Sequence, residues 1–299
     1  MALNKEIWVN TLIEDFWPDN SFVQKSVDHS AYVNDKSVHV PNGGAAPTIH
    51  KNLSEFPASI SQRVDADLSY DLDKYYSEPI LVQQLDLVEL SYDKRTSILK
   101  QSKTALQQAV IADLIKKWAS KNGSIVTTSG SATESHIHAT ATGMRNAMTR
   151  ADVLKVKKVM DADDVPAEGR SILLDAEMYN QLLNSLTSAE TVNFLAGADP
   201  AKGIIGQFMG FEFYMRSSVL VTAAGGTLKT GAAAATDCGA GLAWHEESVS
   251  RALGSVETFE KEKDPTYYGD IMSFAMRAGG TGIRQDKKGI VLIHQGTPE

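Results

Sequence analysis

The segment from Asp35 to Glu78 runs for more than forty residues with no helical apolar period and no apolar run, and it directly precedes the longest amphipathic stretch of the chain. A structureless stretch of that length is uncommon inside a compact domain, where it marks either a functional loop or disorder. Alternation argues for the loop. In Ser37-Val38-His39-Val40 and in Ser61 to Tyr70 every second residue falls on one face of an extended backbone. Between them, Pro41-Asn42-Gly43-Gly44-Ala45-Ala46-Pro47 is turn chemistry. A two-stranded ribbon is marginal in water on its own, because it buries too little to offset the ordering of its backbone. Docked on a neighbouring subunit it is stable, so the sequence predicts an arm whose partners lie on other molecules.

With 299 residues, 42% of them hydrophobic and 22% charged, the chain can bury a substantial core in one large or two intertwined domains. Its formal net charge is -8 and no basic run exceeds a pair, which argues against tight binding of nucleic acid through phosphates. No apolar stretch approaches the ~20 residues that cross a bilayer. The start, Met1-Ala2-Leu3-Asn4-Lys5-Glu6, lacks a signal-peptide pattern. The expectation is a soluble protein made in a cytoplasm, with no membrane partner. A single cysteine, Cys238, leaves stability to packing and assembly.

Along the chain, Ile7, Trp8, Leu12 and Phe16 at roughly helical spacing predict a short amphipathic arm that Pro18 stops. Ile80-Leu81-Val82 reads as a strand. A helix follows from about Asp93 to Lys121, capped by Ser91 or Asp93, with Leu99, Leu106, Val110 and Leu114 as its stripe and Ala105 and Ala109 flanking it. Gly123 to Gly143 reads as a connector with strand character at Ser124 to Thr127. Thr149-Arg150-Ala151-Asp152 fits a capping box with Asp in place of Glu, opening a helix that buries Val153, Val156 and Met160 and ends at Asp164-Val165-Pro166. A buried strand, Ser171 to Leu174, delivers Asp175 as the cap of a helix with Tyr179, Leu182, Leu183 and Leu186 at core spacing. Phe208 to Arg216 is a strand pair or bent strand with Phe211, Phe213 and Met215 on one side. Ala223 to Ala240 reads as a flexible surface loop. Gly241 to His245, Val256 to Glu260, Gly269 to Met276 and Ile290 to Ile293 are strands. The class is mixed α+β.

That order of arm, ribbon, long helix, small α/β lobe and returning strands resembles the major capsid proteins of tailed bacteriophages, which have the Hong-Kong-ninety-seven-type fold. Local wording agrees. Val153 to Arg170, ending in Val165-Pro166-Ala167-Glu168-Gly169-Arg170, followed by Ile172 to Tyr179, resembles the family's helix, turn and strand-to-helix step. Gly203-Ile204-Ile205-Gly206 through Gly210-Phe211 to Met215 resembles its "G-x-I-G-x-x-x-G-F-x-V-Y" segment. The part from Gly241 through Gly269-Asp270 to Ile293 also fits. The resemblance covers essentially the whole chain. It implies an N-arm over 1–34, an E-loop over 35–80, a peripheral domain with the spine helix over 81–142 and 248–283, and an axial domain over 143–247 and 284–299.

The implied function is a non-enzymatic head protein that self-assembles into hexamers and pentamers of an icosahedral virion shell enclosing double-stranded DNA without specific binding. Its implied partners are copies of itself, a separate scaffold protein, a portal and decoration proteins, with synthesis in the bacterial host cytoplasm. A separate scaffold is expected because no long helical region precedes the N-arm. The subunit-interface residues expected on the arm and E-loop are Trp8, Phe16, Trp17, Asn42, Gly43, Gly44, Lys51, Phe56 and Arg63.

Chemistry candidates are thin. Glu134, His136 and His138 would share one face of a strand, but they lie in a Ser/Thr-rich connector and read as a solvated polar strand rather than a metal site. Cys238 and His245 lack a third group for nucleophilic catalysis. Asp161, Asp163 and Asp164 lack the ligand spacing and glycine of a calcium loop and read as a solvated helix end. Gly225-Gly226 and Gly279-Gly280-Thr281-Gly282 follow no phosphate-loop pattern and read as turns. Neither a catalytic set nor a cofactor is expected. Two other readings remain: the shell of an encapsulin-type nanocompartment, and a soluble metal-dependent hydrolase.

Overall fold

The computed structural model describes residues 19–33, 37–44, 46–52, 57, 60, 62–83, 94–138 and 140–298. After a short turn at Ser21–Gln24 come β1 (Val27–Asp28), β2 (Ser37–Asn42), β3 (Ala66–Asp71), β4 (Asp73–Tyr76) and β5 (Ile80–Gln83). Helix α1 (Lys94–Ala119) leads to β6 (Ser124–Thr127), β7 (Ala132–Glu134) and β8 (Met144–Asn146). The α/β lobe holds α2 (Arg150–Ala162), β9 (Arg170–Asp175), α3 (Ala176–Ser185) and α4 (Ser188–Ala196), then β10 (Gly206–Phe208), β11 (Phe211–Arg216), β12 (Leu220–Thr222) and β13 (Cys238–His245). The chain closes through β14 (Ser250–Leu253), β15 (Glu257–Asp264), β16 (Gly269–Gly279) and β17 (Ile290–His294).

Two sheets share one helix. The seven-stranded sheet runs β10-β11-β9-β13-β17-β6, with β12 on β13. All six residues of β9 and all eight of β13 are buried, as expected of strands covered on both faces. Alternation sorts the side chains. Ile172, Leu174, Phe213, Ala243 and Ile293 face α2, α3 and α4 through Val156, Met160, Leu182 and Phe194. Leu173, Tyr214, Leu242, Trp244 and Leu292 face the other way, onto Ile111, Leu114, Ile115 and Trp118 of α1. The six-stranded sheet runs β1-β14-β16-β15, and β4 and β5 also pair with β16. Its Phe274, Met276 and Ala278 pack on Leu106 and Val110 of α1. Helix α1, 26 residues and ~39 Å long, is therefore a spine with one sheet on each half. Strand β6, inside the 81–142 segment, pairs with β17 and so belongs to the seven-stranded sheet.

The spine's expected stripe is present, with Leu106, Val110 and Leu114 buried and Leu99 packed beside them, but its flank differs from expectation. Ala105 and Ala109 are exposed, and the buried face widens through Ile111, Ile115 and Trp118. The indole Nε1 of Trp118 donates to the Ser250 carbonyl at 2.8 Å, tying the helix end to β14. The caps Ser91 and Asp93 lie outside the described residues. At α2 the capping box is present: Asp152 accepts from the Thr149 amide at 3.0 Å and hydroxyl at 2.7 Å. Asp152 is itself fully buried and also holds Ser129 at 2.8 Å, which anchors the connector. Asp175 accepts from the Met178 amide at 2.7 Å and caps α3.

The Gly/Ala-rich loop ends earlier than expected. β13 begins at Cys238, and Cys-Gly-Ala-Gly is buried strand rather than surface loop. Small residues are required there: a Cβ on Gly241 would stand 2.7 Å from Leu174 and 2.9 Å from the Leu173 carbonyl. Met215 is exposed, and Tyr214 takes the buried place on the opposite face of β11. β10 and β11 form a hairpin around Met209 and Gly210, both at positive φ.

Candidate subunit-interface surfaces

The ribbon predicted from alternation is present. β2 and β3 pair antiparallel from Ser37 opposite Asp71 to Asn42 opposite Ala66. Residues 62–65 carry no strand, so pairing starts later than the alternation from Ser61 suggests. The base is well fixed. Val38 and Leu72 pack with Val33 and Ala252 in a small cluster of their own. Asn42 donates from Nδ2 to the Ile283 carbonyl at 2.9 Å, a bond to its own body. His29 stacks on Tyr70 and bonds its hydroxyl at 2.9 Å.

Past the base, the described hydrogen bonds lie within the ribbon itself. Asp65 accepts from the Gly44 amide at 2.8 Å and from Arg63 Nε at 2.5 Å, contacts that hold its exposed carboxyl below the usual range. Gly43 lies under the Arg63 guanidinium, and Gly44 lies against the Val64 carbonyl, where a Cβ has no room. Beyond them Ile49 is 93% exposed, Ile60 98% and Val64 77%. These three aliphatics were not singled out from the sequence; their signal is isolated apolar residues inside a polar loop. Lys51 is exposed nearby. Trp8, Phe16, Trp17 and Phe56 lie outside the described residues.

The arm's exit is anchored by groups that sequence reading also missed. Phe22 is buried edge-on against Tyr214 and Trp244, with ring centroids 6.3 and 6.1 Å away. Trp244 Nε1 donates to the Lys25 carbonyl at 2.8 Å. One nitrogen of Arg251 reaches the carbonyls of Val23, Gln24 and Ser26, and the other reaches Asp28 at 3.0 Å.

The chemistry candidates are dispersed. Strand β7 ends at Glu134. His136 then turns to Asp175, with Nε2 and Oδ2 2.9 Å apart, while His138 bonds Thr140. Burial alone would lower the His136 pKa, but the hydrogen bond and charge of Asp175 outweigh it and raise it. Among the described residues no group of three or more His, Cys, Asp or Glu could hold a metal ion. Cys238 and His245 occupy opposite ends of β13, ~23 Å apart along the strand, and burial pushes the thiol up. Asp161 is not merely solvated: it accepts from the buried Arg170 at 2.7 Å. Arg170 also donates to the carbonyls of Pro166 and Val165 and lies over the Phe211 ring. The Val165-to-Arg170 turn is thus closed by its own arginine, with Gly169 at φ +77. No helix of the described residues is long and apolar enough to cross a membrane.

The described residues thus form an α/β lobe, a spine helix between two sheets and a two-stranded ribbon that runs into the second sheet through Leu72. The family described as phage capsid protein matches residues 21–295, and the chain belongs to that family. It is a capsid protein, a component of a virion shell. No curated protein matches its sequence. Among solved structures, a chain from Mycobacterium phage Che8 is 20% identical with a TM-score of 0.66, covering 98% of this chain and 97% of that one. A capsid chain of cyanophage P-SCSP1u is 17% identical, TM-score 0.68, covering 99% and 94%. A capsid chain of a native GTA particle is 12% identical, TM-score 0.66, covering 99% and 96%. These likenesses show the shared Hong-Kong-ninety-seven-type fold.

Proposed function

We propose that the chain is the major head protein of a tailed double-stranded DNA phage, assembling into hexamers and pentamers of an icosahedral shell. The observation that carries this reading is the contrast within the ribbon, which is bonded to its own body at Asn42 and Val38 yet leaves Ile49, Ile60 and Val64 bare. Many copies of such an arm, each gripping a neighbour modestly, sum over a closed shell. Trp8, Phe16, Trp17, Gly43, Gly44, Lys51, Phe56 and Arg63 are the proposed contact residues, with Asn42 setting the ribbon's exit. The net charge of -8 suits a container that does not grip its DNA. A separate scaffold protein, a portal and decoration proteins complete the proposed partners, with synthesis in the host cytoplasm. The N-arm, E-loop, peripheral and axial divisions given above are the proposed functional units. Its chemistry is assembly rather than catalysis.

Negative-stain electron microscopy of the protein expressed alone and with its neighbouring gene product tests the reading. Closed shells or capsomer sheets are expected. A monodisperse monomer under both conditions overturns it.

A further inference from the structure

The arm's exit and the ribbon share a seam. Residues 27–33 lie against β14: the Val27 amide donates to the Val249 carbonyl at 3.0 Å, the His29 amide to the Arg251 carbonyl at 2.7 Å, and the Leu253 amide to Ser30 Oγ at 3.1 Å. The same residues carry the base of the ribbon. His29 stacks on Tyr70 with the ring planes 21° apart, and Val33 is buried together with Val38, Leu72 and Ala252 of β14. Those four are the whole buried cluster, with Val40 and Tyr70 packed beside it, so a displaced Val33 would uncover much of the base. A two-stranded ribbon has little else to hold it.

Arg251 directs its guanidinium at the segment that leads into this seam. Nη1 lies 2.8 Å from the Val23 carbonyl, 3.0 Å from that of Gln24, 2.9 Å from that of Ser26 and 3.0 Å from Ser26 Oγ, while Nη2 donates to Asp28 at 3.0 Å. Bonds from a charged donor are stronger than neutral ones, and the planar fork fixes their directions. Among the described residues all of these partners fall within 23–28, so the side chain makes no hydrogen bond to the ribbon. Its influence there has to pass through His29 and Val33.

We infer that Arg251 is a positioning residue for the ribbon: by fastening residues 23–28 on β14 it holds His29 and Val33 against Tyr70, Val38 and Leu72, so that fixing the arm's exit and fixing the ribbon's base are one coupled event. Such coupling is reciprocal, and packed side chains with few alternatives carry it. Joined to the shell reading above, it makes docking of the arm and docking of the ribbon cooperative within one subunit. The coupling itself does not require that reading.

Hydrogen exchange followed by mass spectrometry tests it on full-length protein, each variant compared with wild type in the same assembly state. Arg251→Ala should speed exchange in 37–42 and 66–71 about fivefold or more, together with 23–29, while β9 and β13 keep their protection. Arg251→Lys, which keeps the charge without the fork, should fall between the two. In the reverse direction, Tyr70→Phe removes the hydroxyl that meets His29 and should speed exchange at the amides of Val23, Lys25 and Val27, whose acceptors are Asn20, Phe22 and Val249. Acceleration confined to 23–29 in Arg251→Ala would overturn the coupling. Equal acceleration in β9 and β13 would make Arg251 a general stability residue and overturn it as well. If Arg251→Ala yields no soluble protein, Tyr70→Phe decides alone, and unchanged exchange at those three amides sinks the proposal. A wild type that forms no particles would overturn the shell reading and leave the exchange result standing.

Discussion

The seven-stranded sheet and the ribbon are built from the same backbone geometry with opposite allegiances. In the sheet, β9 and β13 bury every residue, and both faces are matched within the chain by α1 on one side and by α2, α3 and α4 on the other. In the ribbon, one face is covered at its base, at Val38, Val40, Tyr70 and Leu72, and the distal Ile49, Ile60 and Val64 are exposed. The first region spends its apolar residues on folding. In the proposed reading the second keeps them for association, so a substitution in one should be read by stability and in the other by assembly.

The largest effect separates the two directly. Trp118→Ala removes a fully buried indole that joins the spine, the seven-stranded sheet and the Ser250 carbonyl, and should cost about 3–5 kcal/mol in denaturant unfolding of the subunit. Loss of soluble protein is the extreme form of the same result. Asn42→Ala, at the junction of the two regions, should cost about 1 kcal/mol, appearing as faster amide exchange in 37–42 and 66–71 while the main sheet keeps its protection. Ile60→Ser should leave subunit stability within about 0.5 kcal/mol of wild type and still reduce shell formation seen by electron microscopy. A normal yield of shells from that variant would break the division between folding and association drawn here.

The smallest expected effect is a pH slope on the sheet side. His136 holds its proton more tightly when folded, because of Asp175. Its contribution is therefore complete below its ordinary value of 6.5 and lost as pH rises through the raised folded value. Melting temperature followed from neutral to alkaline pH should fall more in wild type than in His136→Gln. His294, lowered by burial, opposes this only toward acid, where its contribution is lost as pH falls.

Much of this division was legible in the sequence, for physical reasons that also explain the gaps. The ribbon showed itself by alternation combined with the absence of any core period, and β9 and its capping Asp175 by an apolar run closed with a helix signal. Cys238 to Ala240 hid because glycine and alanine read as loop, whereas here they open a fully buried strand and the next residue, Gly241, is small so that Leu174 can approach. The alanines of the spine misled for a related reason: Ala105 and Ala109 lie outside, since helix α1 changes partner from one sheet to the other along its length. Arg251 as the clamp on the arm had no local signal at all, because its partners lie more than two hundred residues away.

Strand β3 passes into β4 across a single residue, Leu72, and β4 lies antiparallel on β16 through four register pairs, Asp73–Ala278, Lys74–Arg277, Tyr75–Met276 and Tyr76–Ala275. A pull along the ribbon would thus load that ladder in shear, all of its bonds together, instead of opening it from one end. β16 also carries β5, β14 and β15, so the strain would spread across the whole six-stranded sheet before any one strand slipped. Mechanically the ribbon is less a flap than a tendon, inserted on the strand that joins the whole sheet.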